Sequence, residues 1–133
     1  MGEVVNKEQR KIRSLYETLL HTPLKKFPRT GMRFDVPADH GVYVIYNARG
    51  KILHVGRTVR GKKGLIQRLK NHLRGQSSFM AIYFDRDLSK LRQGCQFRYL
   101  VVPNARERAL LEAYTTGLLC PAHIGIGELK ICI

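Results

Sequence analysis

The stretch "GVYVIYNARGKILHVGRTVRGKKG" spans residues 41–64 and decides the fold. Residues 42–46 are a dense run of β-branched and aromatic residues, and a second apolar run at 51–56 follows the turn sequence "NARG". Two short strand patterns separated by a turn predict an antiparallel β-hairpin. If the turn closes symmetrically, Tyr43 lies directly opposite His54, and the two side chains share one face of the sheet.

The end of this stretch resembles a nucleotide-binding phosphate loop, G-x-x-x-x-G-K-[ST], between Gly56 and Lys63. Two observations argue against that interpretation. Lys63 stands where such a loop needs Ser or Thr to hold Mg²⁺, and the preceding strand is predicted to be hairpin-paired rather than part of a parallel sheet. The apolar run that ends at Asp85 imitates the Walker B strand of nucleotide-binding proteins, but such short patterns arise easily by chance and do not support nucleotide binding. The segment is better explained as a glycine-hinged basic loop that lies along a phosphate backbone.

Outward from the hairpin, apolar residues at helical spacing predict helices over 7–20, 64–74 and 104–119, with Asn6 and Asn104 as N-caps. The buried stripe expected on the last helix is Leu111, Tyr114 or Thr115, and Leu118. Residues 96–102 form a third strand pattern, and 77–93 contain a short helix. These elements predict an α+β fold, an α/β sandwich whose small central antiparallel three-stranded sheet is flanked by helices. Residues 1–39 form an N-terminal extension of helix and linker, and 40–133 form the main domain.

Charge indicates the kind of partner. The chain has 133 residues and a formal net charge of +14. Between Asp39 and Asp85 it has no acidic residue, while basic residues recur throughout that interval. Such an interval produces a field of one sign that attracts a polyanion. Because the basic residues do not follow one amphipathic helix, nucleic acid is favoured over a membrane surface.

The cysteines point to a reducing, intracellular, cytoplasmic setting. Cys95, Cys120 and Cys132 are an odd and sparse set without CxxC spacing, which does not build a disulfide framework. Cys120 and His123 have a spacing that suits two metal ligands, but a tetrahedral site needs two more. Buried structural cysteines are therefore expected. No apolar run approaches the ~20 residues of a membrane span.

Five ionisable residues are candidates for chemistry, and each has an ordinary structural explanation. Tyr43 and His54 are sheet residues, whereas Arg68 and His72 are four apart and share one helix face. Glu112 lies in the apolar part of the last helix, where a carboxylate is costly unless it is paired or binds a metal. Pairing with Arg108, one turn earlier, is the simpler alternative for Glu112.

Together these residues occur in a known order. The segments "GVY" at 41–43, "HVG" at 54–56, "GLIQRLKNHL" and "ERALLEAYTTGLLCP" resemble the GIY-YIG nuclease family, and in particular its UvrC type of incision domain. The resemblance covers about residues 40–124. Two positions depart from the family pattern: His54 replaces the usual Tyr of the second motif, and Ile124 stands where an Asn is usual after "CP".

The resemblance implies a metal-dependent endonuclease that hydrolyses DNA phosphodiester bonds and leaves 5′-phosphate and 3′-hydroxyl ends. Glu112 would be the sole protein ligand of Mg²⁺ (or Mn²⁺), and Arg68 would neutralise charge on the phosphoryl oxygens. Tyr43 or His54 would orient and deprotonate the attacking water, with support from His72. An imidazole is the better base near neutral pH, because its unperturbed pKa is ~6.5 against ~10 for a phenol.

The expected partner is double-stranded or branched DNA, with no membrane and with a possible homodimer or partner protein that supplies specificity. The expected DNA-contacting residues are Arg57, Arg60, Lys62, Lys63, Lys70 and Arg74. Two other hypotheses stay open. One is a catalytically inactive nucleic-acid-binding module of the same fold, and the other is a basic structural protein without a nucleic-acid role.

Overall fold

The computed structural model of the protein describes residues 6–29, 31–59, 61–75, 77–84 and 87–124, without the side chains of Ser78 and Leu88. Within these ranges the chain forms five helices and four strands. In chain order they are α1 Lys7–Leu20, β1 Lys25–Lys26, β2 Gly41–Tyr46, β3 Ile52–Arg57, α2 Gly64–Leu73, α3 Ser78–Ile82, α4 Leu88–Arg92, β4 Gln96–Val101 and α5 Ala105–Leu119. The fold is α+β, as the sequence predicts. No helix in the described ranges is both long enough and apolar enough to cross a membrane.

The sheet has four strands in the order β1-β4-β2-β3, and every neighbouring pair is antiparallel. The prediction of three strands was wrong because β1 has no strand pattern in its sequence. It is two lysines, and it becomes a strand only by pairing with β4, where Lys25 lies opposite Phe97. The predicted hairpin of β2 and β3 is confirmed, which also removes the parallel strand that a nucleotide-binding loop requires.

The register of the hairpin differs from the symmetric prediction. Tyr43 lies opposite Gly56, and His54 lies opposite Ile45. The register shifts beyond Ile45, so Leu53 is an extra residue on β3, a β-bulge. The bulge places Leu53 and His54 on the same side of the sheet. His54 therefore still shares a face with Tyr43, as a diagonal neighbour rather than a direct one, with 5.9 Å between ring centroids.

The two faces of the sheet carry separate hydrophobic clusters. On one face α2, α3 and α4 cover Tyr43, Ile45 and Phe97. On the other face α1 and α5 cover Val42, Val44 and Val55. This alternation along β2 is the period of two that a doubly covered strand requires. The molecule is thus three layers, and β3 is an edge of the middle one.

The two predicted N-caps are confirmed. The Asn6 side chain accepts a hydrogen bond from the Gln9 backbone and completes a capping box, and Asn104 caps α5 through the Glu107 backbone. Within 77–84 and 87–93, the described parts of the range predicted to contain one short helix, there are two. In α5, Leu111 and Thr115 are buried as predicted, but Leu118 is 54% exposed, so that part of the predicted stripe was wrong.

The cysteines match the expectation in part. Cys95 is buried, whereas Cys120 is exposed, which corrects the prediction of a buried residue. Cys120 ends α5 in the left-handed conformation with φ of 47°. Cys132 lies outside the described residues.

Candidate active site

The candidate site is a cleft of about 540 Å³ at the β3 edge of the sheet. β3, α2, α5 and the segment after α5 all contribute to its lining. The segment after α5 runs along β3, because the backbone amides of Ala122 and His123 donate to carbonyls of Ile52 and Leu53. The polar side chains that line the cleft are those of His54, Arg57, Arg68, Glu112, Thr116 and His123. The edge strand therefore brings residues from both faces of the sheet to one place.

Two motif glycines are required by close packing, and one of them, Gly56, lines this cleft. A Cβ on Gly56 would lie 2.4 Å from the Tyr43 hydroxyl, and a Cβ on Gly41 would lie 2.2 Å from the Leu100 carbonyl oxygen. Neither space accepts a methyl group. The glycine of "HVG" thus allows the Tyr43 ring to extend under β3.

Beneath the cleft, a buried chain of hydrogen bonds runs from Tyr43 to Ser77. The Tyr43 hydroxyl lies 2.7 Å from Nε2 of His72, and Nδ1 of His72 lies 2.6 Å from the Ser77 hydroxyl. Ser77 is itself held by the Met80 backbone amide, which donates to its oxygen. Burial raises the pKa of Tyr43 to about 12, although the nearby Arg68 guanidinium opposes the rise. Burial also lowers the pKa of His72 well below its usual value. Both groups are neutral near pH 7.

His54 differs from Tyr43 and His72, whose polar atoms are hydrogen-bonded to each other. Neither ring nitrogen of His54 makes a hydrogen bond to any described residue. The ring stacks on Phe79 with 4.9 Å between centroids. Burial, reinforced by the unfavourable electrostatic interaction of a protonated ring with His123 and Arg68, lowers the pKa of His54 to about 3. The backbone of His123 opposes that fall in part. In the free protein His54 is therefore neutral near pH 7, and it is a weaker base than its usual pKa implies.

Glu112 is paired, but with Arg57 rather than with Arg108. A guanidinium nitrogen of Arg57 lies 2.7 Å from Oε1 of Glu112. The predicted alternative partner, Arg108, is buried and donates instead to the carbonyl oxygens of Thr58, Val102 and Pro103. Arg57 was predicted to contact DNA; in the structure it holds the carboxylate that was predicted to hold a metal.

The other predicted DNA-contacting residues lie around α2. Lys62 and Lys63 are exposed in the loop before the helix, beside a smaller cleft of about 260 Å³ that Arg57 and Arg68 help to line. Lys70 and Arg74 are exposed on the opposite flank of α2 and do not line the candidate cleft. Arg60 and Asp85 lie outside the described residues.

Three residues of the site were not predicted as members. Ser77 and Phe79 support His72 and His54 from below, and His123 lines the cleft beside Ile124. Ser77 could have been suspected because a Ser before an apolar run is a helix N-cap, the position it takes in α3. Ile124 is 43% exposed in the cleft, where it presents an apolar side chain.

The donor set suits one kind of metal ion. No group of three or more His, Cys, Asp or Glu side chains able to hold a metal is present in the described ranges. A dedicated protein cage of the zinc type is therefore absent from them. Mg²⁺ is commonly held by one carboxylate together with waters and phosphate oxygens, and Glu112 in an open cleft fits that pattern. The Arg57 guanidinium shares the same carboxylate and is a competing cation.

No protein-family model matches this chain, and no curated protein matches it. Among solved structures, the chain is similar to the magnesium-bound GIY-YIG N-terminal endonuclease domain of UvrC from Thermotoga maritima. The two share 22% sequence identity over 89% of this chain and 97% of that chain, with a TM-score of 0.48. A point mutant of that domain, bound to its catalytic divalent cation, is similar at 22% identity over 89% and 96% of the two chains, also with a TM-score of 0.48. These neighbours belong to the family whose motifs this sequence resembles.

Proposed function

We propose that the protein is a magnesium-dependent endonuclease that hydrolyses DNA phosphodiester bonds and leaves 5′-phosphate and 3′-hydroxyl ends. The observation that carries this proposal is the convergence of Tyr43, His54, Arg68, His72 and Glu112 around one open cleft in a strongly basic chain. These residues come from two strands and two helices that are distant in sequence. An arrangement of this kind supports phosphoryl chemistry better than any one of the residues would alone.

Glu112 would hold the Mg²⁺ (or Mn²⁺) ion, which when bound supplies charge stabilisation to the leaving 3′-oxygen. Arg68 lines the same cleft, and the planar fork of a guanidinium is suited to binding the non-bridging phosphoryl oxygens. We assign Arg57 a second role of the same type. Once displaced from Glu112, its guanidinium lies next to the bound phosphate.

His54 is the residue we propose to orient the attacking water and accept its proton. It lines the cleft, and its ring nitrogens are buried in the free protein but have no hydrogen-bond partner among the described residues, so a water that enters with the substrate can bind to one of them. Tyr43 is fully buried, and its hydroxyl already lies next to His72. The negative charge of a bound phosphate favours the protonated imidazole, so His54 becomes a stronger base in the complex than in the free protein. Tyr43 and His72 would pack beneath His54 and Arg68 and hold those two side chains in position.

The biological setting follows as part of the proposal. The nuclease domain is residues 40–133, with 1–39 as its extension, acting on double-stranded or branched DNA in a reducing cytoplasmic compartment. A single cleft of this kind cuts one strand. Cutting both strands would require a second copy of the chain or a partner protein.

The test is cleavage of supercoiled plasmid with Mg²⁺, repeated with EDTA, by the wild type and by Glu112→Gln. We expect wild-type nicking only with Mg²⁺, and loss of nicking in the variant with DNA binding kept or tightened, because one negative charge is removed. Glu107→Gln is the matched control on the same helix, where the carboxylate pairs with Lys11 outside the cleft.

The outcomes separate the hypotheses. Nicking by Glu112→Gln at a near wild-type rate would show that Glu112 is only a structural carboxylate. Salt-sensitive DNA binding without nicking by the wild type would favour the inactive binding module of the same fold. Absence of both would favour a basic protein without a nucleic-acid role.

A further inference from the structure

A second basic cleft lies outside the candidate active site. Its volume is about 480 Å³, and it is formed by the loop after β1, the outer flank of α2 and the end of α4. Its lining includes five basic side chains, those of Arg29, Arg33, Lys70, Arg74 and Arg92. All of them except Arg92 are exposed. Met32, on the same loop, is 67% exposed between the two arginines.

The two clefts lie on opposite flanks of one helix. Successive residues of an α-helix are rotated by ~100°, so Arg68 and Lys70 point ~160° apart around α2. Arg68 lines the catalytic cleft, and Lys70 lines the second cleft. Ile66 and Arg74, each four residues from Lys70, line the second cleft with it.

The charge of the second cleft is not balanced locally. Its lining contains one carboxylate, Asp35, which is paired with Lys25 at 3.3 Å. Across the part of the chain that the structure describes, none of the five basic side chains forms an ion pair with a carboxylate. A group of cations held this close repels itself, and an anion that enters the cleft relieves the repulsion.

We propose that the second cleft binds the phosphate backbone of the complementary strand of a duplex whose other strand enters the catalytic cleft. A helix with its side chains is ~10–12 Å across, and the major groove of B-DNA is ~12 Å wide, so α2 fits between the two backbones. The face of α2 between the clefts carries Gln67, Asn71 and Arg74, whose side chains can hydrogen-bond base edges. The inference rests on the proposed nucleic-acid substrate, but it does not rest on cleavage.

The test measures binding in EDTA, so that cleavage plays no part. A duplex about two helical turns long and a single strand of the same length are titrated at several salt concentrations. The variant is Arg29→Gln with Arg33→Gln, both on the exposed loop. The control is Arg10→Gln with Arg13→Gln, an equal charge change on exposed residues of α1, which packs on the other face of the sheet.

We expect the loop variant to weaken duplex binding by on the order of tenfold and to lower the slope of log affinity against log salt by up to ~1.8, or ~0.9 for each lost phosphate contact. Its affinity for the single strand should fall no more than that of the control. A second double variant on the helix side of the cleft, Lys70→Gln with Arg74→Gln, should likewise lose duplex affinity without a comparable loss of single-strand affinity.

Two results would overturn the inference while the proposed function stands. One is an equal loss of single-strand and duplex affinity in the loop variant, which would indicate general electrostatic attraction. The other is a loss no larger than that of the control. If the wild type binds neither nucleic acid, the proposed function and this inference fail together.

Discussion

Arg57 and Glu112 form an ion pair inside the candidate cleft, and the exposure of the pair decides how it behaves. Their side chains are 34% and 26% exposed, so solvent screens the pair in part and the pair remains open to exchange. A divalent ion that binds Glu112 must compete with the guanidinium. If Glu112 holds a metal ion, as proposed above, the affinity for that ion is therefore set by Arg57 as well as by the carboxylate.

This competition predicts that Arg57→Met binds metal more tightly than the wild type. Removing a unit positive charge ~4 Å away changes the electrostatic energy by about 1 kcal/mol or more, even where the dielectric is close to that of water. We expect the affinity for Mn²⁺ to rise by on the order of tenfold, measured by electron paramagnetic resonance without nucleic acid.

Arg106→Met is the matched control, because Arg106 pairs with Glu8 on the exposed α1–α5 surface, away from the cleft. Unchanged or weaker Mn²⁺ binding by Arg57→Met would show that Glu112 does not hold the ion. If cleavage nevertheless falls in a variant that binds metal more tightly, the proposed contact of Arg57 with phosphate gains support.

The burial of His54 should make the free energy of unfolding depend on pH. Its pKa is about 3 in the folded protein against a usual value of 6.5, so unfolding takes up a proton between these pH values. The contribution to stability is complete above pH ~6.5 and falls as the pH drops, by about 2 kcal/mol at pH 5. We expect His54→Phe, which keeps a ring on Phe79, to lose less stability than the wild type between pH 7 and pH 5.

Urea unfolding at the two pH values measures this difference. His72 is present in both proteins, and its lowered pKa acts in the same direction, so only the difference between the curves reports on His54. The exposed His21, changed to Phe, is the control. Parallel losses in the wild type and His54→Phe would mean that water reaches His54 freely.

At the scale of elements, the start of α2 determines where Arg68 and His72 point. Gly64 has φ of +38°, and a Cβ there would lie 2.2 Å from the Asp39 carbonyl oxygen. That same oxygen accepts a hydrogen bond from the Leu65 amide at 2.8 Å. The loop before β2 therefore fixes the first turn of α2, and only glycine fits at the junction.

Gly64→Ala should destabilise the protein by about 3 kcal/mol, since it adds backbone strain and a steric clash. The matched control is Gly117→Ala in α5, where the added Cβ has no heavy atom within 4 Å apart from its chain neighbours and the adjacent backbone of its own helix. The control should stabilise the protein by about 1 kcal/mol, the usual helix preference for Ala over Gly. Thermal unfolding checks both, and similar effects of the two changes would contradict the role given to Gly64.

The elements that could be predicted from the sequence are those specified by local patterns. Apolar spacing and an Asn cap are sufficient for α1 and α5. For β2 and β3, a dense β-branched run and a second apolar run on either side of a turn sequence are sufficient. β1 could not be predicted, because its two lysines become a strand only through the backbone of β4. The bulge at Leu53 could not be predicted from the sequence either. It depends on how the turn is closed, here by the Asn47 side chain, which accepts from the amides of Arg49 and Lys51.

The site shows the same division. Tyr43, Arg68 and Glu112 could be selected because a motif resemblance orders them, and the structure brings them together. The pairing of Arg57 with Glu112 joins residues 55 positions apart, and no spacing rule predicts it. Burial also changed the chemistry of His54, since the depth of a side chain depends on the packing of α2 and α3 over the sheet.

At the scale of the whole molecule, α1 and the main domain share one hydrophobic cluster. Leu19 is fully buried and belongs to the cluster that contains Val44 of β2 and Leu111 of α5. Tyr16 contacts Tyr114 edge to face, with 5.3 Å between ring centroids. An extension packed in this way is expected to unfold together with the sheet rather than before it.

Leu19→Ala tests this coupling. Removing a fully buried Leu side chain should cost about 2–5 kcal/mol. If α1 and the sheet unfold as one unit, the loss should appear equally in urea unfolding and in hydrogen exchange of the Val44 amide, which lies in β2 and belongs to the same cluster. Leu24→Ala, at a residue that is 44% exposed, is the control and should change stability by about 0.5 kcal/mol or less. Unchanged protection of Val44 in Leu19→Ala, together with faster exchange along α1, would instead show that the extension opens by itself and that residues 40–133 are stable without it.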